Sequence, residues 1–137
     1  MNFVIELPPI TKKNSQQIIH VKGRPMIIPS KQYAQYERDA LWMLNYDGEP
    51  IDYPVNVSAK FFMKTRRKVD LVNLQEALLD VLVRAEILED DNSRIVVSMD
   101  GSRVSYDKER PRTEVEITRS EWVDKDTQTN SGEQVSQ

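Results

Sequence analysis

A chain of 137 residues, 39% hydrophobic and 30% charged, is long enough for one cored domain and too short for two. It has no cysteine and a single histidine, His20, which excludes disulfides and thiolate-bound zinc and argues against a histidine-rich zinc site. The net charge of −3 argues against indiscriminate coating of DNA. No signal peptide is visible and no apolar run nears the roughly 20 residues of a membrane helix, so a cytoplasmic protein is expected.

Met1–Leu7 sets Phe3, Ile5 and Leu7 against polar neighbours and predicts a first strand, ended by Pro8 and Pro9. Thr11–Ser15 is a polar loop holding Lys12, Lys13 and Asn14. Gln16–Val21 and Pro25–Ile28 flank Lys22-Gly23-Arg24 as a short hairpin with Gly23 at positive φ. His20, alone in its first arm, reads as structural. Ser30 is a helix-cap candidate after Pro29, and Lys31–Tyr46 carries Tyr33, Tyr36, Ala40, Leu41 and Leu44 at helical intervals, closing at Asp47-Gly48. Packing on a sheet accounts for Tyr33, Tyr36 and Trp42 more simply than base stacking does. Lys31, at the helix start, is left free to meet a phosphate.

Val55–Lys64 alternates cleanly, with Val55, Val57, Ala59, Phe61 and Met63 on one side, and predicts a strand. It delivers a basic cluster, Lys64, Arg66, Arg67 and Lys68, to Asp70, a helix N-cap. Leu71, Leu74, Leu78, Leu82 and Ala85 then recur on one helical face, and Val72, Leu79 and Val83 extend the apolar arc. That predicts a helix buried over more than half its circumference, with a narrow stripe of Asn73, Glu76, Asp80 and Arg84 lining a cleft. Glu89, Asp90 and Asp91 follow it. Clustered carboxylates raise one another's pKa unless a cation intervenes, and a hard divalent ion such as Mg²⁺ is the usual remedy. The basic cluster would bring in a polyanion, while Asp70, Asp90, Asp91 and Glu76 hold metal beneath it.

Arg94–Met99 predicts a further strand, Asp100-Gly101 a turn, Val104–Tyr106 an extension of the pairing, and Thr113–Thr118 a last strand with one face exposed. Residues 1–119 form the expected domain, α+β, with five or six strands in a mixed, mostly antiparallel sheet on two main helices. Residues 120–137 are polar and predict a disordered tail with Trp122 at most a loose anchor.

The order of these residues resembles the Holliday-junction resolvases of the RusA type, over about residues 1–118. The family hallmark is Asp-x-Asp-Asn, Lys and Asp on one helix, then an Asp-Asp pair before a strand; Asp70, Asn73, Asp80, Asp90 and Asp91 match it. Pro9 to Asn14 resembles its N-terminal element, which would set Asn14 on a phosphate or an acid rather than in a plain turn. Asp100–Val115 resembles the Gram-positive phage branch. The resemblance implies an intertwined C2 homodimer cutting branched DNA, including four-way junctions, in recombination and repair with Mg²⁺ or Mn²⁺. Asp70 and Asp91 are the first expected ligands, Asp90 and Glu76 the next, with Asn73 and Asp80 supporting. Lys12, Lys13, Asn14, Lys31, Lys64, Arg66, Arg67 and Lys68 are expected on DNA. Two departures stand out: Val72 replaces the second helix Asp, and Glu76 replaces the Lys. Lying one turn apart, they keep the carboxylate count, so Glu76 is expected to take over the missing ligand's place. The alternative is a catalytically inactive junction-binding or phage replication-accessory protein of the same fold.

Overall fold

Strand β4 (Val55–Met63) organises the sheet in the computed structural model, which describes residues 1–12, 16–29 and 31–124. Antiparallel to it runs β7 (Arg112–Arg119), and β1 (Asn2–Ile5) pairs with the far side of β7. On its other side β4 takes two short parallel strands in succession, β5 (Val96–Ser98) at its start and β6 (Arg103–Tyr106) along its end. Parallel pairing needs a crossover, and helix α2 (Leu71–Arg84) supplies it between β4 and β5. A second helix, α1 (Lys31–Leu44), and a separate hairpin of β2 (Gln16–Val21) and β3 (Arg24–Pro29) complete the α+β domain. Lys13, Asn14, Ser30 and residues 125–137 lie outside the described residues. Among the described residues no helix is long and apolar enough to cross a membrane.

The alternation read from the sequence decides which face is covered. Register places Ala59, Val115 and Phe3 in one row and Phe61, Thr113 and Ile5 in the next. Of these six only Phe3 keeps appreciable exposure, and both helices pack over this face with Leu74, Leu78, Val81, Leu82, Ala40 and Leu44. A buried side chain of the size of Leu82 contributes about 1.5–3 kcal/mol through loss of water contact. The opposite rows, Ser58–Glu116–Asn2 and Lys60–Glu114–Val4, stay open and polar, as an uncovered antiparallel face should.

Several expectations need correction. Strand β5 is three residues long rather than Arg94–Met99. The edge breaks at Met99–Ser102, where Asn56 captures the chain: its Oδ1 accepts from Ser98 Oγ and Asp100 N, and its Nδ2 donates to Asp100 O. Gly101 sits there at φ 88, where a Cβ would meet Ser58 Oγ at 2.8 Å. Helix α1 ends at Leu44 because Asn45 turns into the left-handed region (φ 36) while its N–H reaches Leu41 O. Tyr33 is buried and Tyr36 half-buried, but Trp42 is 81% exposed and is no part of the core. Val72 is likewise 69% exposed, so the apolar arc of α2 is narrower than its composition implies.

The exit of α2 aims the acidic segment. Glu86 adopts φ 59, its N–H donating to Val83 O and that of Ile87 to Leu82 O, so the last carbonyls are satisfied as the chain reverses. Left-handed backbone costs a non-glycine residue roughly 1–2 kcal/mol. Glu86→Gly is therefore expected to raise unfolding free energy by about 0.5–1 kcal/mol, net of its greater unfolded-state entropy, in urea titrations at unchanged m.

Candidate metal and nucleic-acid site

Asp80, in the last half of α2, and the Asp90–Asp91 pair beyond its end line one small cavity of about 260 Å³ together with Lys12, Val83 and Arg84. Lys12 Nζ reaches Asp80 Oδ2 at 2.6 Å. Arg84 turns to Glu37 of α1 at 3.2 Å. Asp90 is spent on its own loop: Oδ1 accepts from Asp91 N at 2.7 Å and Oδ2 from Asn92 Nδ2 at 3.1 Å. The Asp91 carboxyl is held above the ordinary carboxylate range, first by partial withdrawal from water, then by Asp90 and Asp80 beside it.

That shift has a sign. A carboxyl whose pKa is raised on folding costs stability at neutral pH, and the cost fades as pH falls through the folded-state pKa. Asp91→Asn is thus expected to raise the melting temperature of the metal-free protein slightly at pH 7 and to lose that advantage in acid, by calorimetry at both pH values.

At the other end of α2, Asp70 occupies the N-cap position with extended backbone (φ −87, ψ 123). The sequence predicts a capping carboxylate, yet its side chain makes no cap hydrogen bond; Asn73 Nδ2 donates to its Oδ2 at 3.2 Å instead. The carboxylate stays exposed beside a loop whose four cations, Lys64, Arg66, Arg67 and Lys68, are all exposed. The Arg66 guanidinium lies 4.1 Å over the Tyr106 ring, anchoring this loop to β6. Lys31 is exposed at the start of α1.

The acids named from sequence therefore fall into two groups. Asp80 follows Asp70 by ten positions, which at about 1.5 Å per residue separates them by roughly 15 Å along the axis. Glu76 lies between, exposed, one turn before Asp80. The pairing of Lys12 with Asp80 is the feature sequence reasoning missed; the two are 68 positions apart, and no local pattern signals it.

The donors suit a hard divalent ion in kind, being carboxylate oxygens that line one cavity. Among the described residues no three Asp, Glu or His side chains converge to hold a metal by themselves. Mg²⁺ needs only one or two carboxylates, completed by water and phosphate oxygens, and Asp80 with Asp91 supplies that number.

Residues 6–118 match the family Endodeoxyribonuclease RusA. The chain belongs to the RusA family. A curated relative, the crossover junction endodeoxyribonuclease RusA of Aquifex aeolicus (strain VF5), is 31% identical over 86 residues, covering 61% of this chain and 66% of that protein. Against the RusA hallmark, Val72 and Glu76 are the two departures, and both are exposed. Of the residues read from the sequence as matching it, Asp70 and Asn73 stand at the start of α2, and Asp80, Asp90 and Asp91 gather toward its other end.

Proposed function

We propose that the protein is a structure-selective endodeoxyribonuclease that hydrolyses phosphodiesters of branched DNA, four-way junctions above all. In this reading it works in the cytoplasm as a C2 homodimer with Mg²⁺ or Mn²⁺. The observation that carries the reading is the crowding of Asp80, Asp90 and Asp91 in a chain of the RusA family, with exposed cations at the far end of the same helix. Asp91 and Asp70 would be the leading ligands, with Asp80, Asp90 and Glu76 contributing. A divalent ion held there would neutralise the scissile phosphate and lower the pKa of an attacking water.

The chain's own groups divide the remaining work. Lys64, Arg66, Arg67 and Lys68, with Lys31, would hold flanking phosphates, so affinity should fall steeply with salt. Recognition would run through backbone shape, the basic residues lying on loops and a helix start rather than along a groove-reading helix. Asp70 lies about 15 Å along α2 from Asp80, beside which Asp91 sits, so one protomer would not bring Asp70 and Asp91 to one phosphate. A two-fold axis crossing α2 near its middle would set Asp70 of one protomer beside the partner's Asp91, twice. Each of the two symmetric strands to be cut would then have its own site.

The deciding experiment is cleavage of a synthetic four-way junction. Wild type should incise it only with Mg²⁺ or Mn²⁺, and Asp91→Asn should lose about a hundredfold or more in rate while still binding. Binding without incision in either metal would leave the alternative, an inactive junction-binding protein.

A further inference from the structure

We propose that Lys12 is the resident counter-cation of the acid pocket, whose ammonium must leave Asp80 before a divalent ion can bind; this rests on the metal-dependent reading above. Lys12 arrives from the segment after β1, not from α2 or the Asp90–Asp91 loop, so it can move without disturbing either acid-bearing element. Its Nζ sits 2.6 Å from Asp80 Oδ2 in the cavity that Asp90 and Asp91 line. The side chains of both partners are about one-third exposed (37% and 32%), which keeps the pair exchangeable with solvent ions rather than locked. The ammonium also lies 5.6 Å from the centroid of the Tyr33 ring, a second resting place for the charge once Asp80 is taken. Arg84, the other cation of the cavity, is engaged by Glu37, so among the described residues Lys12 is the cation that answers the three carboxylates.

A lysine that neutralises an acid group competes with any metal for it. Removing the lysine therefore strengthens metal binding, whereas removing a positioning lysine that helps the metal weakens it. The two roles have opposite signs.

The test is equilibrium binding of Mn²⁺ to the full-length protein, followed by the spectroscopic signal of free Mn²⁺ at low ionic strength. Lys12→Met is expected to bind about two- to fivefold more tightly than wild type, the range an exposed ion pair allows. Lys12→Arg should stay close to wild type, because the guanidinium keeps the charge at Asp80. In an Asp80→Asn background Lys12→Met should make no difference, the contact being already lost. Lys12→Gln serves as a second neutral variant should Lys12→Met fold poorly. Equal or weaker Mn²⁺ binding by the neutral variants overturns the proposal while leaving the nuclease reading intact. Absence of saturable Mn²⁺ binding to wild type that Asp91→Asn removes would overturn both.

Discussion

Mixing two inactive variants, Asp70→Asn and Asp91→Asn, is expected to restore cleavage that neither has alone. The argument is geometric. With about 15 Å of helix between Asp70 and the pocket around Asp80 and Asp91, a site that needs both ends must draw them from two protomers. In a heterodimer one composite site then carries both substitutions and the other carries none. Random exchange makes about half the dimers mixed, each with one intact site of two, so strand incision should recover to roughly a quarter of wild type. Both changes should fold normally: Asp70 and Asp91 are exposed, and Asn serves an N-cap as well as Asp. The measurement is nicking of one labelled strand of a four-way junction after the variants are co-refolded or exchanged. Activity no greater than that of the separate variants would place each site within one protomer and would remove Asp70 from the metal.

Much of the fold was legible because the strands report their own burial. In β4 every second residue from Val55 to Phe61 is buried, and the hairpin follows from Lys22-Gly23, both at positive φ. The polar stripe of α2 was legible for the same reason, since Asn73, Glu76, Asp80 and Arg84 repeat at helical spacing. What composition could not report was what lies opposite each residue. Trp42 and Val72 are apolar, yet both stay largely in water. The candidate site was legible as a set of residues but not as an arrangement. Read along the chain, Asp70 and Asp91 bracket one helix and look like partners; in space the rise of that helix holds them apart, and Lys12, from another element, sits with Asp80 instead.

The same geometry gives the two departures from the family hallmark a definite expectation. Val72 and Glu76 are neighbours one turn apart and both exposed, so replacing either creates no cavity and strands no buried charge. Glu76 stands about 6 Å along the axis from Asp80 and about 9 Å from Asp70, with a side chain long enough to lean toward either end. If it supplies the carboxylate that Val72 lacks, Glu76→Gln should lower cleavage about tenfold or more, with partial rescue by excess Mn²⁺. Glu76→Lys should be worse, since it adds a cation where metal is to bind. Restoring the hallmark by Val72→Asp together with Glu76→Lys should recover at least about tenfold over Glu76→Lys alone, within the coupling of 0.5–3 kcal/mol seen between touching residues. The Asp would also stand in the first turn of α2, where a negative charge suits the helix dipole, so the double variant should lose no stability. Rates for wild type, Val72→Asp, Glu76→Lys and the double variant, at matched Mg²⁺, give the coupling directly. Simple additivity with a silent Glu76→Gln would make Glu76 an ordinary solvated residue and leave the metal to Asp70, Asp80, Asp90 and Asp91.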